Sequence, residues 1–476
     1  MRSTLTAVAL LSWAIPAWAS EPTAVPLTRP ELKQVLEESK KSVPRLKAPA
    51  PTPEQVAAAK EKGTTPGRGG NGNGLLPPEL RGGYFMPDGR GSGQDTRALR
   101  APSVGEAPAA NRPSFPRVEP DPNMTLDYAF KVMLFWIVSR SNNCVYCTGH
   151  QENKLTAAGV TEDRIAALDG DWSEFTHAER AAFALTRKLT VAPQTVTEAD
   201  IDAAKKHFTN LQVLEIITTV SGFNGMNRWT GPLRLTQQEF RIFLTPTSPK
   251  YEAAVTRLGP APPASTGARC APVAAPRPPL EPRTEVEAKW AECRERTSRF
   301  PLIDDSAARA LLPNDLFPAG RPLPNWVRLL ANFPKSGPVK IANLRVSHTK
   351  GNLSPQLKAQ LAWVSARADR AWYALSCARD RLRALGVADD AIFAIDQAEG
   401  STFTPADRAA FAFARKLTVD PALIDDDNFD TLRKFYTDPQ IAELIHHVNQ
   451  AVFFNLTTEA AGLPLDPATD RIASRP

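Results

Sequence analysis

The chain has 476 residues, too long for one ordinary domain, and its 42% hydrophobic content suffices for two or three buried cores. A formal charge of +6 is mild, and no Lys/Arg block carries interleaved aromatics, which argues against a nucleic-acid partner. The 44 prolines gather in tracts rather than spreading evenly, as they do in linkers.

In chain order, Met1-Arg2 gives a charged start, Leu5 to Pro16 an apolar stretch and Ala17-Trp18-Ala19 an A-x-A cleavage site. Residues 1–19 therefore read as a signal peptide, and the mature protein is expected to be periplasmic or secreted. No Cys follows Ala19 to carry a lipid. No later apolar run reaches the roughly 20 residues that span a bilayer. Residues 20–111 form a Pro/Gly-rich arm, with Ala-Pro-Ala-Pro-Thr-Pro at 48–53 and a glycine-rich run from Gly67 to Gly74. Such composition buries too little apolar surface to offset chain entropy, so the arm is expected to be mostly disordered. One short helix is predicted within it, Pro30 to Ser42, with Thr28 as N-cap, Pro30 at N1 and Glu31 at N3.

From Thr125 the pattern is helical. Thr176 with Glu179 and Thr209 with Gln212 are capping boxes, and Thr197 with Asp200 marks a further start. Residues 261–320 read as a second linker, with helical pattern resuming near Glu285 and again after Leu323. Strand alternation is scarce, so the fold class is all-α.

The chain also repeats itself. Phe403-Thr-Pro-Ala-Asp-Arg-Ala-Ala-Phe echoes Phe175-Thr-His-Ala-Glu-Arg-Ala-Ala-Phe, and Thr437 to Glu443 echoes Thr209 to Glu215. Trp363 matches Trp136, Leu382 to Val387 matches Leu155 to Val160, and Asn455 matches Asn227. Two tandem helical domains follow, 112–260 and 321–470. Asn227 and Asn455, present in both, are expected to cap or bridge helices.

Chemistry concentrates in one stretch, Asn142-Asn-Cys-Val-Tyr-Cys-Thr-Gly-His150. On a helix, Cys144 and Cys147 stand at i,i+3, as do Cys147 and His150. Two such thiols can close a disulfide, and an adjacent imidazole can stabilise a thiolate. A c-type haem would need His at Thr148, and a zinc site lacks a fourth ligand; no metal or cofactor is expected. Of the five cysteines, Cys144 with Cys147 and Cys270 with Cys293 are the pairs expected, leaving Cys377 over. In an oxidising compartment the C-x-x-C favours a disulfide. The pair is then either a redox-active dithiol or the staple of a non-catalytic helical scaffold or binding protein. Repeat two places Ala371, Ala374 and Cys377 opposite Cys144, Cys147 and His150, so it is read as a structural partner. Arg228 faces Leu456 in the comparison and is a candidate to line the first copy's site. Adjacent helical residues point about 100° apart, so His446 and His447 are expected at a surface or interface.

Asn143-Cys-Val-Tyr-Cys-Thr-Gly-His150 behind an apolar helix, Leu155 to Val160, the Phe-Thr-x-Ala-Glu/Asp-Arg-Ala-Ala helix and Asn227-Arg228 together resemble the carboxymuconolactone decarboxylase and alkylhydroperoxidase D family. The resemblance covers both repeats and implies domains that pair and assemble further, commonly as trimers or hexamers. Here the fused repeats would pack as a pseudo-dimer, and a trimer of chains would equal a hexamer. It further implies a peroxidase-like thiol oxidoreductase acting on a small peroxide or disulfide and recharged by an external thiol reductant. Cys147 would be peroxidatic, Cys144 resolving and His150 the activating base. The family's His between the cysteines is Tyr146 here, and Phe130 to Met133 lacks the family's Glu. Glu152 and Glu215 are the candidates to complete a proton relay. Lactone decarboxylation is disfavoured for an exported protein.

Overall fold

A computed structural model describes residues 29–47, 73–80, 120–246, 277–397 and 403–467, positions 171, 240 and 315 excepted, together with 53, 56 and 57. The signal peptide 1–19, Thr28, Cys270 and most of the tracts at 48–53 and 67–74 lie outside the described residues. The protein is all-α, with no strand among the described residues. No described helix is long and apolar enough to cross a membrane.

Repeat one comprises α2 (Tyr128–Ser141), α3 (Val145–Ala157), α4 (Glu162–Ala167), α5 (His177–Val191), α6 (Glu198–Lys205) and α7 (Asn210–Thr230). The same order recurs in repeat two as α12 (Pro355–Asp369), α13 (Trp372–Ala384), α14 (Asp389–Ala394), α15 (Pro405–Val419), α16 (Asp426–Arg433) and α17 (Asp438–Ala460). Local chemistry sets the starts. Thr176 and Thr404 open α5 and α15 with capping boxes, and Thr209 and Thr437 open α7 and α17 likewise.

Tertiary contacts recur too. The Trp136 indole donates to Asp169 at 2.8 Å, and Arg140 donates to the same carboxylate at 3.0 Å. Trp363 and Arg367 do the same to Asp396, each at 2.8 Å. Asn143 and Arg370 both adopt left-handed backbone, φ 51° and 52°, at the sharp turn between the first two helices of each copy. Among the described residues the most extensive helix pairing joins α7 to α17, so the repeats meet through their longest helices. Both helices bury most of their length, polar side chains included, and those buried polar groups must find partners within the fold.

The arm and the linker each hold a helix, as the patterns from Pro30 and near Glu285 predict. The arm contains α1 (Arg29–Glu38), extended by a 3-10 turn through Lys41, and it packs against repeat one through buried Leu32 and Leu36. The span read as linker, 261–320, contains α8 (Arg283–Arg294) and α9 (Asp305–Ala310). Helix α8 lies on α13 as α1 lies on α3. Its buried residues Val286, Trp290 and Cys293 fall at i, i+4 and i+7, an apolar stripe that needs a partner. Helices α10 (Asn325–Leu330) and α11 (Ser336–Thr349) then lead into repeat two. Each repeat therefore carries its own covering helix.

Candidate functional site

The turn after α2 builds the site. Asn142 Nδ2 donates to Asn224 Oδ1 at 2.9 Å and to Asn227 Oδ1 at 3.2 Å, anchoring the turn to α7. Asn143 tolerates the left-handed backbone that reverses the chain. Cys144 then becomes the N-cap of α3, and its sulfur accepts the Cys147 N–H at 3.3 Å. Thr230, in the last turn of α7, places its hydroxyl 3.1 Å from Cys144 Sγ and 2.8 Å from Cys147 Sγ. The same hydroxyl lies 3.0 Å from the Met226 carbonyl, as helical threonines do. Both cysteines are free thiols, 1% and 2% exposed.

The two thiols are electrostatically unequal. Burial pushes Cys144 up, but hydrogen bonds from the Cys147 side chain, Thr230 and the Cys147 N–H outweigh it and leave the thiol below its ordinary range. Cys147 is raised well above its ordinary range, first by burial and then by the neighbouring Cys144 sulfur, with Thr230 and Asn227 pulling the other way. A helix N-terminus favours negative charge at the cap, which is where Cys144 sits.

The other residues singled out from sequence divide. Tyr146 is buried close enough to both sulfurs that their charge adds to its raised pKa, although burial is the larger cause. His150 makes no hydrogen bond to either sulfur. Its ring packs on Tyr146 at 4.4 Å between centroids, and Nδ1 lies 3.2 Å from the Tyr146 carbonyl. Helical side chains lean toward the N-terminus, and here the i,i+4 neighbour Tyr146 takes the imidazole that i,i+3 spacing pointed toward Cys147. Burial, then Arg241 and Lys154, hold His150 well below the usual histidine range, so it stays neutral.

Glu152 and Glu215 serve the scaffold. Glu152 pairs with Arg29 at 3.2 Å and Lys33 at 3.4 Å, both on α1, and Glu162 holds the same two cations. Glu215 pairs with Lys131 at 3.0 Å and accepts the Thr125 and Leu126 N–H groups. Glu443 repeats that arrangement with Lys358, Asn352 and Leu353 in the copy without the thiols, which marks it as architecture. Arg228 points into repeat two, donating to the Thr418 carbonyl at 2.7 Å and the Leu417 carbonyl at 3.1 Å. His446 and His447 are 2% and 1% exposed, not at the surface.

Sequence reasoning missed Thr230, because 86 residues separate it from Cys144 and a helical threonine carries no local signal. It also missed the strap after α7. Residues 231–239 and 241–245 make up this strap, which passes the start of α3, where a β-carbon on Gly231 would stand 3.7 Å from Cys144 Sγ. Gln237 Nε2 donates to the Tyr146 carbonyl at 3.1 Å, and a β-carbon on Gly149 would displace that amide and stand 3.0 Å from the Phe243 ring. The arm ties the strap down. Arg45 N–H donates to the Leu233 carbonyl at 3.0 Å, Gln237 N–H to Ser39 at 3.2 Å and the Thr236 hydroxyl to Ser42 at 2.7 Å.

Repeat two fills the same place differently. Glu459, at the position of Gly231, accepts the Trp372 N–H at 3.0 Å and pairs with Arg296 at 2.7 Å, so a carboxylate serves the start of α13 where a thiol serves α3. Cys293 is a buried thiol directed at the Leu463 carbonyl, 3.4 Å away. Among the described residues no group of three or more His, Cys, Asp or Glu could hold a metal ion. No protein-family model matches the chain, and no curated protein matches it.

Proposed function

We propose that the protein is an exported thiol oxidoreductase, similar to the alkylhydroperoxidase D type, that reduces small peroxides or disulfides with Cys144 and Cys147. The observation that carries this is the N-cap position of Cys144, with one hydroxyl shared between its sulfur and that of Cys147. In this scheme the Cys144 thiolate attacks one oxygen of the peroxide. The S–O bond forms, the O–O bond breaks, and the leaving alkoxide takes a proton passed from Cys147 through Thr230. The Cys147 thiolate then attacks the sulfenic sulfur, closing the disulfide and expelling hydroxide, which takes a proton from solvent to leave as water. An external dithiol returns two electrons and two protons by thiol–disulfide exchange. Cys144 thus takes the attacking role that the resemblance assigns to Cys147, while His150 orients Tyr146 rather than a sulfur. Association of three chains into the equivalent of a hexamer belongs to the same proposal, and light scattering tests it.

Burial of both sulfurs favours a second reading, a helical scaffold whose C-x-x-C only staples. Alkylation of the reduced native protein against pH, mapped by mass spectrometry, separates the two. Modification of Cys144 before Cys147, with an apparent pKa below the free-thiol value of about 8.5 that rises in Thr230→Val, supports the enzyme. Thiols that react only on unfolding, with no peroxide or disulfide turnover, leave the scaffold.

A further inference from the structure

Repeat two lacks the dithiol but gathers cations and a buried imidazole around its second helix. Arg345 and His348 lie three residues apart on α11, and Cys377 and Arg381 four apart on α13, so each pair shares a helix face. His447 of α17 joins them. Its ring stands 4.8 Å from that of His348, edge to face, and its Nδ1 lies 3.3 Å from the Ser347 hydroxyl. His447 Nε2 is buried with no hydrogen-bond partner among the described residues. Arg345, His348, Cys377 and Arg381 are only partly buried, while His447 and Tyr373 are buried beneath them. The repeat-one counterparts of Arg381, Cys377 and His447 are Lys154, His150 and Thr219, so the buried imidazole belongs to repeat two alone.

Neither Arg345 nor Arg381 forms an ion pair among the described residues. Nearby carboxylates are committed elsewhere. Glu443 holds Lys358 at 2.9 Å, Asp466 accepts the Tyr373 hydroxyl at 2.5 Å, and Asp380 lies 3.9 Å from Arg379. Arg345 instead lays its guanidinium over the Phe317 ring at 4.7 Å, which leaves its N–H edges unused. Helix α17, which carries His447, packs on both α11 and α13, so the two cation-bearing helices flank the same buried imidazole. Partly buried guanidinium groups with no carboxylate in ion-pair contact are costly, and an anion brought between them relieves that cost with charge-assisted hydrogen bonds.

We infer that Arg345, Arg381, His348 and His447 form a binding site for a small oxyanion, such as phosphate, sulfate or a carboxylate, in the second repeat. The two guanidinium groups supply paired donors at the partly exposed edge, and His447 Nε2–H donates from beneath. This inference stands apart from the thiol chemistry of repeat one.

Thermal unfolding and 31P line broadening of the full chain, titrated with inorganic phosphate against sodium chloride at matched ionic strength, provide the test. Phosphate is expected to raise the midpoint saturably. Arg381→Gln and Arg345→Gln are each expected to weaken binding about tenfold or more, as loss of a charge-assisted bond predicts, while Arg433→Gln, an exposed cation elsewhere, keeps the response. Sulfate and acetate arms distinguish a tetrahedral from a planar preference. If Arg381→Gln does not fold, Arg345→Gln alone decides. Equal effects from chloride, or an undiminished phosphate response in Arg345→Gln, overturn the site.

Discussion

Lys340 shows how much a single buried group decides. Its ammonium lies 2.8 Å from Gln450 Oε1 and 3.9 Å from the centroid of the Phe453 ring. Burial lowers its pKa from 10.5 to about 7. Between those values the unfolded chain holds a proton that the folded chain has released, so stability rises with pH across that window. Below pH 7 both states are protonated and the penalty is complete. Urea midpoints are expected to climb between pH 7 and pH 9.5, with a slope from this group of at most about 1.4 kcal/mol per pH unit. Lys340→Met should flatten that climb; an unchanged profile would show that another group titrates. Arg228 is a second case. Replacing it with Met leaves the buried Leu417 and Thr418 carbonyls without their donors. A loss of about 2–4 kcal/mol in denaturant unfolding is expected, and thiol reactivity should shift with it, because Arg228 also donates at 2.9 Å to the Asn224 oxygen that anchors Asn142.

Among elements, α1 and the strap after α7 govern access to the dithiol. Arg29 is fully buried between Glu152, Glu162 and the face of Trp136, 5.3 Å from the ring centroid. Arg29→Ala leaves the buried Glu152 with Lys33 alone, 3.4 Å away, and should cost about 1–3 kcal/mol locally. The strap hangs from the segment that follows α1, so its opening should become more frequent. Alkylation of Cys144 in the folded, reduced protein is therefore expected to accelerate at least about tenfold. No acceleration would mean that reagents enter by another route. Two apolar side chains of the strap, Ile242 and Leu244, are largely exposed, at 76% and 58%.

At the scale of the whole molecule, the α7–α17 pairing makes one folding unit of two repeats. Gly225 lies against α17, where an added β-carbon would stand 3.1 Å from the Asn449 carbonyl, a backbone atom that cannot swing aside. Gly225→Leu should destabilise the chain by about 1–3 kcal/mol through overpacking. Near-UV circular dichroism and tryptophan fluorescence should report one coincident transition for the wild type. Separate transitions would show that the repeats fold independently. The duplication also lets the copies diverge, with thiols at the start of α3 and a cationic cluster between α11, α13 and α17.

What the amino-acid sequence determined by itself is whatever closes within about four residues. Thr176 with Glu179, Thr404 with Asp407 and Thr437 with Gln440 open helices because each side chain meets a backbone group one turn away. The all-α class and the nearness of Cys144 to Cys147 follow from the same short range. The cap itself escaped notice, since Cys is not among the usual N-cap residues. Only the tertiary structure decided the rest. His150 chose Tyr146 over Cys147 because packing, not spacing, selects among neighbours on one helix face. Glu152 and Glu215 became scaffold ion pairs because Arg29 and Lys131 arrive from distant segments. Thr230 reached the sulfurs only when α7 folded back across the turn that bears them. The physical reason is range: a buried polar group must find a partner, and chain closure determines which one comes within reach.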